Sequence, residues 1–303
     1  MSKIDELAGR FEAERPRLLA LAYRTTGSVA DAEDAVQEAW LRLDRTTEQI
    51  HDLPAWLTRV VARLCLDRLG SAARRRETYV GQWLPEPVVR PYETAGTDPL
   101  DVVVRHDDAR FGALVVLDRL TPQQRVAFVL HDVFDLPFDE IGEVLGISAE
   151  AARQHASRGR RAAAAAPEPV PDAEHEDAVG RFVEALLSGD LETVVATLHP
   201  DAVAIGDAGG TTGTALNAIT GPEKVARFYL GLLVRFGEEA MDVYVPVRVN
   251  GQLGLWLPGL EGPDARSSSP SRVAGFTVRD GLVVATYDLA NPAKLTGVRL
   301  EDA

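Results

Sequence analysis

A proline-rich break at residues 167–172 (PEPVPD) divides the chain of 303 residues into two parts with different hydrophobic patterns. Before the break, apolar residues recur at the spacing of α-helices, and capping residues precede several of these stretches. After the break, two helical stretches are followed by strand-like segments joined by Asn250-Gly251 and Asp280-Gly281, residue pairs typical of two-residue hairpin turns. The sequence therefore predicts an all-α first part and an α+β second part that ends in a curved antiparallel sheet.

The chain is acidic overall, but its basic residues are concentrated in two short stretches. The formal net charge is −14, which on its own argues against nucleic-acid binding. Arginine makes up 29 of the 32 basic residues, and it suits phosphate and base-edge contacts better than lysine does. Six arginines lie in residues 59–76 and four in residues 148–166. Local basic patches within a repelling global field predict a protein that needs help to bind DNA.

Cysteine and histidine usage argues against metal and disulfide chemistry. The chain has one cysteine, Cys65, which excludes an internal disulfide framework and a Cys-rich zinc site. Its six histidines form no HExxH motif, so we predict neither a metal nor a cofactor. The first residues lack the apolar core of a signal peptide, and no run of 18 apolar residues follows. We therefore expect a cytoplasmic protein.

Three helical stretches in the first 77 residues predict one bundle. The first spans residues 4–24, the second starts near Asp31, whose side chain is expected to cap it, and the third starts at Pro54. Short loops join them, as in a helical bundle. Prolines and acidic residues then predict an acidic linker over residues 78–107.

Residues 137–162 have the helix–glycine turn–helix layout of a DNA-binding helix-turn-helix. Gly146 suits the turn, and Ser148 can cap the second helix. That helix places four residues within two turns, where arginine and glutamine can reach base edges: Arg153, Gln154, Ser157 and Arg158. The alternative is an ordinary helical hairpin with a solvated basic face. The second basic helix, at residues 59–76, favours a DNA-binding protein with two reading modules.

Two blocks of residues resemble a known family. The stretches 31–40 (DAEDAVQEAW) and 64–69 (LCLDRL) resemble region 2 of extracytoplasmic-function (ECF) sigma factors. The stretch from Leu120 to Arg161 resembles region 4 of the same family, and both blocks occur in the family's order. The resemblance implies a sigma factor that recruits core RNA polymerase to promoters through their −10 and −35 elements.

The resemblance also implies roles for individual residues. The residues implied to face core RNA polymerase are Asp34, Gln37, Glu38 and Arg42. Those implied to lie along the −10 DNA are Arg63, Arg68, Arg74, Arg75 and Arg76. Those implied to read the −35 element are Ser148, Arg153, Gln154, Ser157 and Arg158. The family often has asparagine at the position of Arg63 and a basic residue at Gly70. Two simpler alternatives stay open, because the acidic helix can be an ordinary surface helix and the acidic linker an inert tether.

A third motif, Trp83–Pro87 (WLPEP), resembles that of the sigma-factor subgroup with a SnoaL-like C-terminal extension. That subgroup has two further motifs, DGGGK and NPDKL. This chain has DAGGT at residues 207–211 and NPAKL at 291–295, with departures at Ala208, Thr211 and Ala293. The alternative is that these residues only form turns. The implied regulatory contacts are Trp83, Leu84, Pro85, Glu86, Pro87, Asp207, Gly209, Gly210, Asn291, Pro292, Lys294 and Leu295.

The subgroup resemblance implies an α+β cone that regulates the sigma factor within the same chain. We expect the cone to pack against the first module and the linker, with all three motifs close together and no separate anti-sigma factor required. A small-molecule ligand in the cone stays open. The predicted domains are 1–77 (region 2), 78–107 (linker), 108–166 (region 4), 167–173 (linker) and 174–303 (SnoaL-like domain).

The competing function is a SnoaL-like isomerase or hydrolase fused to a DNA-binding module, and a plain repressor ranks third. The candidate acid–base residues of such an enzyme are His199, Asp201, Asp207, Tyr229, Asp242, Asp288 and Lys294. Their spacing does not force a catalytic arrangement, so we predict no enzyme.

Overall fold

A computed structural model describes residues 3–47, 49–76, 79–93, 110–210, 214–236, 243–260, 269–298 and 300. The chain divides into two compact units. The first unit contains the described residues of 1–77 and 113–166. The second unit contains those of 78–95, 110–112 and 167–303. The segment that follows the first three helices therefore groups with the C-terminal half of the chain.

The first unit begins with a three-helix module. Its helices are α1 (Lys3–Thr26), α2 (Val29–Arg45) and α3 (Leu53–Arg76). The expectation that Asp31 caps α2 is wrong, since Ser28 is the N-cap and its Oγ accepts a hydrogen bond from the Asp31 amide at 3.2 Å. Gly27 turns the chain with a φ of 70°, which places Ser28 in the extended conformation that an N-cap needs. Cys65 is buried in this module, and burial raises the pKa of its thiol to about 12.

A second helical module completes the first unit. It contains α4 (Phe111–Leu117) from residue 113 onwards, α5 (Pro122–Phe128), a π-helix (Val129–Val133), α6 (Phe138–Leu145) and α7 (Ala149–Ala163). The predicted capping box is confirmed, because the Thr121 and Gln124 side chains each accept a hydrogen bond from the other residue's amide. Gly146 has a φ of 67°, and Ser148 caps α7, as predicted. The π-helix, which lengthens α5 by one turn, was not predicted.

A buried arginine connects the two helical modules. Arg125 of α5 is 1% exposed. Its Nε donates to the carbonyl of Arg24 near the end of α1 at 3.0 Å, and its Nη1 forms an ion pair with Asp118 at 2.8 Å. The end of α1 is thus hydrogen-bonded directly to the second module.

The second unit contains a seven-stranded sheet in its described residues. The strands are β1 (Val89–Pro91), β2 (Leu198–Asp207), β3 (Ile219–Thr220), β4 (Val245–Val249), β5 (Gln252–Leu257), β6 (Arg272–Arg279) and β7 (Leu282–Leu289). Their order is β1-β4-β5-β6-β7-β2-β3. The helices are α8 (Asp172–Ser188), α9 (Leu191–Ala196) and α10 (Pro222–Phe236).

Strand direction differs from the sequence prediction at one place. The β2–β7 pair is parallel, so the sheet is mixed and the expectation of a purely antiparallel sheet is wrong. No tight turn joins these two strands, and a long connection permits parallel pairing. The two predicted hairpins are confirmed: the residues of Asn250-Gly251 and Asp280-Gly281 all have positive φ, as a type I′ turn requires.

Strand β1 lies inside the segment that the sequence predicts to be a linker. It pairs antiparallel with β4, matching Val89 with Val249. Just before it, the amide of Val88 donates to Asn250 Oδ1 at 3.0 Å, and the Asn250 amide donates to the Val88 carbonyl at 2.8 Å. Three residues ending in Pro91 form an edge strand, where a missing amide donor is tolerated. Residues 94–107 of the predicted linker lie outside the described residues.

Helices α8 and α10 pack their apolar side chains, including Phe182 and Val225, against the sheet. His175 of α8 is buried in the same region, and its Nε2 lies 3.2 Å from the Phe276 carbonyl. Burial lowers the pKa of His175, and the hydrogen bond to Phe276 opposes that shift. The imidazole is therefore neutral in the folded unit at neutral pH.

We expect the second unit to lose stability as the pH falls below about 6.5, the pKa of an unfolded histidine. Below that value the unfolded chain binds a proton that the folded unit does not bind, so protonation favours unfolding. The His175→Gln variant removes this titration. Urea midpoints measured between pH 5.5 and 7.5 should fall more steeply for the native chain than for His175→Gln. Parallel curves would contradict this expectation, since the neighbouring Arg110, Asp172 and Glu176 are common to both proteins.

Candidate functional site

Helix α7 presents the predicted −35 residues on one exposed face. Arg153, Gln154, Ser157 and Arg158 are all exposed, and so is the cap Ser148. The opposite face is buried against α5. There Gly159 permits a close crossing, because a Cβ at this position would lie 2.6 Å from Phe128 Cβ and 3.1 Å from the Gln124 carbonyl. The face that carries the base-reading side chains is therefore the one that does not pack.

Neighbours on its own module hold Arg153 loosely. Its Nη1 lies 3.2 Å from Glu150 Oε2, and its guanidinium carbon lies 5.1 Å from the centre of the Phe138 ring. Both partners of the ion pair are more than half exposed. Such pairs contribute less than about 1 kcal/mol, so Arg153 can turn towards a base without a large loss.

The basic side of α3 faces two other helices of the first unit. Arg63 Nη2 donates to the Glu143 carbonyl at 3.1 Å, and Arg59 Nη1 lies 3.4 Å from Glu140 Oε2. Both contacts reach α6 of the second module. Arg68 Nη1 lies 3.4 Å from a carboxylate oxygen of each of two α2 residues, Asp31 and Asp34. The side chains of Arg74, Arg75 and Arg76 lie outside the described residues.

The residues that the resemblance assigns to a polymerase contact share one face of α2. Asp34, Gln37 and Arg42 are exposed and Glu38 is half-buried. Glu38 and Arg42 form an ion pair at 3.1 Å, one turn apart. Beside this face, α1 and α2 enclose a groove of about 460 Å³. Its lining includes Phe11 and Trp40, whose ring centres are 5.1 Å apart and which the sequence analysis did not single out.

The second unit brings the WLPEP, DAGGT and NPAKL motifs together around a buried ion pair. Lys294 Nζ lies 2.6 Å from Asp207 Oδ2, and the two side chains are 8% and 0% exposed. The Leu84 amide donates to the same Asp207 oxygen at 2.8 Å, and Lys294 donates to the Leu84 carbonyl. Lys294 Nζ also lies 3.3 Å from the centre of the Trp83 ring. Asp207 Oδ1 accepts a hydrogen bond from Tyr79 Oη. We call these five residues the motif cluster.

Glycine and asparagine complete the cluster from the DAGGT and NPAKL loops. Gly209 and Gly210 have φ values of 61° and 72°. A Cβ at Gly209 would lie 2.8 Å from Asn291 Nδ2, so only glycine fits there without displacement. Asn291 Nδ2 donates to Tyr79 Oη at 2.8 Å, and Asn291 Oδ1 accepts from the Ala293 amide at 3.0 Å.

Two of the three departures from the subgroup motifs, Ala208 and Ala293, fall where the structure tolerates them. Ala208 is not among the described residues with positive φ, so this position does not need glycine. The Ala293 side chain is exposed. Thr211 lies outside the described residues. Of the remaining predicted contacts, Pro85, Glu86 and Pro87 are buried, Leu295 is half-buried and Pro292 is exposed.

Tyr79 belongs to the cluster although the sequence analysis did not single it out. Its ring centre lies 4.9 Å from that of Trp83, four residues later. Burial, and then the hydrogen bond to the Asp207 carboxylate, raise the pKa of Tyr79, which keeps its phenol protonated as a donor. The signal in the sequence was an aromatic residue just before WLPEP, within a stretch that otherwise resembles a linker.

The structure separates the candidate acid–base residues into three groups. Asp207 and Lys294 belong to the motif cluster. Tyr229 and Asp288 line a cavity of the second unit. His199 and Asp201 lie together near the start of β2, and Asp242 lies outside the described residues. Within the described ranges, no three His, Cys, Asp or Glu side chains are placed to hold a metal ion.

Comparison with known proteins identifies the family. The family model "Sigma-70 region 2" matches residues 10–75, and "Sigma-70, region 4" matches residues 113–162. The chain is 53% identical over 295 residues to the ECF RNA polymerase sigma factor SigJ of Mycobacterium tuberculosis, covering 96% of this chain and 94% of SigJ. The chain belongs to the ECF sigma factors. The first module is therefore region 2, the second is region 4, and the function is to direct transcription by RNA polymerase at promoters.

Other comparisons agree with this assignment. The crystal structure of M. tuberculosis SigJ superposes with a TM-score of 0.83 at 51% identity, covering 97% of this chain and 100% of that chain. The probable ECF sigma factor SigI of the same species is 38% identical over 210 residues, covering 66% of this chain and 69% of SigI. The predicted family, the helical half with regions 2 and 4, and the C-terminal α+β domain are confirmed. Among the helices that the structure describes, none has the length and apolar character to cross a membrane.

Proposed function

We propose that the C-terminal unit is a built-in regulator of this sigma factor and acts through the segment that joins region 2 to region 4. The observation that carries the proposal is the motif cluster. Through Asp207 and Lys294, the C-terminal unit holds Tyr79, Trp83 and Leu84 of that joining segment. Strand β1 adds the next residues of the segment to the sheet. Region 2 and region 4 are thus joined through a segment that is part of the regulator.

Contacts inside the first unit favour an inactive resting form. Arg63, which we assign to the −10 DNA, donates to the Glu143 carbonyl of region 4, and Arg59 beside it pairs with Glu140. Promoter DNA competes for the same side chains. Because these contacts are partly exposed, each contributes little and can be broken when core RNA polymerase binds. The regulator then needs only to shift the equilibrium between this resting form and a form in which the side chains of region 2 have left region 4.

The remaining roles are those that the resemblance to the family implies. We assign Asp34, Gln37, Glu38 and Arg42 to core RNA polymerase. We assign Arg63, Arg68, Arg74, Arg75 and Arg76 to the −10 DNA. We assign Ser148, Arg153, Gln154, Ser157 and Arg158 to the −35 DNA. With its regulator in the same chain, the sigma factor requires no separate anti-sigma protein, acts in the cytoplasm with RNA polymerase and catalyses no reaction of its own.

Run-off transcription with purified core RNA polymerase tests the regulator. A chain that ends at Ala290 lacks Asn291 and Lys294 but keeps all the strands that the structure describes. A chain that ends at Val298 keeps both residues and is the matched control. We expect the first truncation to change the transcript yield severalfold and the second to leave it at the full-length level. Equal yields from all three chains would refute a regulatory role for the motif cluster.

Promoter reading gives a separate prediction. Arg153→Ala should weaken binding of the polymerase holoenzyme to promoters with a matching −35 element by about 1–3 kcal/mol, the range for one good base contact. Promoters with a mismatched element should be affected less. Arg75→Ala should instead weaken binding evenly across sequences and reduce its salt dependence, as expected for a phosphate contact. Filter binding over a panel of −35 sequences measures both. If Arg153→Ala weakened binding equally on all −35 sequences, α7 would not read bases through this residue.

A further inference from the structure

The second unit contains a partly open cavity of about 90 Å³ that the proposed regulation does not use. Apolar side chains from α8, α10 and the sheet form most of its wall: Phe182, Leu186, Leu233, Leu255, Leu257 and Phe276. Asp207 and Lys294 are not part of this wall, so the cavity is separate from the motif cluster. Protein interiors are normally close-packed, so an unfilled space among apolar side chains is not expected from core packing alone.

One end of the cavity is polar. Arg272 and Asp288 lie there, each 5% exposed, with Arg272 Nη1 3.0 Å from Asp288 Oδ2. Thr214 Oγ1 donates to the same Asp288 oxygen at 2.8 Å. Within the described residues, Arg272 and Thr214 therefore both donate to Oδ2 of Asp288, and Oδ1 has capacity to accept a further hydrogen bond.

Tyr229 adds a hydroxyl to this polar end. Its Oη donates to Thr286 Oγ1 at 2.8 Å. Burial, and then the nearby Asp288 carboxylate, raise the pKa of Tyr229, so the phenol stays neutral. Arg272 and Asp288 carry opposite charges and form an ion pair. An ionised ligand would bring an uncompensated charge into this buried site, whereas a neutral hydroxyl would not.

We infer that this cavity binds a small neutral alcohol whose hydroxyl contacts Asp288 and Tyr229 and whose short apolar body contacts the phenylalanine and leucine side chains. The size of the cavity limits the body. Since a cavity of roughly 150 Å³ holds benzene, about 90 Å³ accommodates a chain of roughly four carbon atoms. The inference goes beyond the proposed regulation and does not depend on it.

Saturation-transfer NMR on the full-length chain tests the ligand class with three probes of equal length: 1-butanol, butyrate and butylamine. We expect transfer to 1-butanol and at least tenfold weaker binding of the two ions. Ala274→Leu places three extra carbon atoms in the cavity wall and should abolish the transfer. Ala173→Leu, at an exposed position of α8, is the matched control and should leave it unchanged. Equal binding of butyrate, or undiminished binding by a folded Ala274→Leu variant, would overturn the inference.

A crystal of the native chain soaked in 2-bromoethanol gives a test that needs no variant. The expected result is a bromine anomalous peak among Phe182, Leu255 and Phe276, with the hydroxyl directed at Asp288 or Tyr229. A peak elsewhere, or none, would overturn the inference. A peak in the cavity without saturation transfer to 1-butanol in solution would be binding at crystal concentration only, and would overturn it as well.

Discussion

Lys294→Met should lower the free energy of unfolding of the second unit by about 3–5 kcal/mol, the usual cost of removing one partner of a buried ion pair. Methionine keeps much of the lysine volume but leaves the Asp207 carboxylate, which is 0% exposed, without its cation. Lys294 also donates to the Leu84 carbonyl and packs on Trp83. Its loss should therefore release residues 79–88 first. Urea unfolding measures the loss of stability, and hydrogen exchange of the Leu84 amide measures the release.

Two further variants separate burial from charge. Arg227 forms an ion pair with Glu223 at 2.7 Å in the same unit, but both side chains are more than 60% exposed. Arg227→Met should therefore cost less than about 1 kcal/mol. Adding Asp207→Asn to Lys294→Met removes the unpaired charge and should restore part of the lost stability. If Lys294→Met costs no more than Arg227→Met, the ion pair does not hold the motif cluster together.

The motif cluster shows what the sequence could and could not predict. Three short motifs indicated which segments meet, because their resemblance to one subgroup ties them to each other. The contributions of Tyr79 and of strand β1 were not predictable in the same way. A strand of three residues is too short to show alternation, and the prolines around it are typical of a linker. The attachment of this segment to the sheet depends on partners that are distant in the sequence, such as Asn250, which lies 162 residues from Val88.

Local signals predicted local structure well. The caps at Thr121 and Ser148 depend on hydrogen bonds within four residues and were confirmed. The start of α2 was missed because Ser28 and Asp31 are both good caps and lie three residues apart. Strand periodicity indicates which face is buried but not the direction of the partner strand, so the parallel β2–β7 pair could not be predicted.

Buried charges are the other kind of feature that a sequence does not mark. Arg272 begins a strand and Arg125 follows a capping box, and both positions are compatible with an ordinary surface residue. Their burial depends on carboxylates of other segments, Asp288 on the neighbouring strand for Arg272 and Asp118 before the start of α5 for Arg125. An arginine in a sequence is more often exposed than buried in an ion pair. Only the tertiary structure therefore distinguishes Arg125 and Arg272 from the exposed arginines of the chain.

Arg125→Met should destabilise the first unit by about 3–5 kcal/mol, because it removes the buried guanidinium that pairs with the Asp118 carboxylate, which is 10% exposed. It also removes the donor to the Arg24 carbonyl, the bond that joins the end of α1 in region 2 to region 4. Urea unfolding followed by helical circular dichroism measures the loss.

The matched controls decide whether the planar fork of Arg125 or only its charge matters. Arg160 of region 4 pairs with Asp132 at 2.6 Å but is 54% exposed, so Arg160→Met should cost less than about 1 kcal/mol. Arg125→Lys keeps the charge but cannot reach the Arg24 carbonyl and Asp118 in the same geometry, and its loss should fall between the two methionine variants. A native-like stability for Arg125→Met would show that the bonds of Arg125 do not hold region 2 and region 4 together.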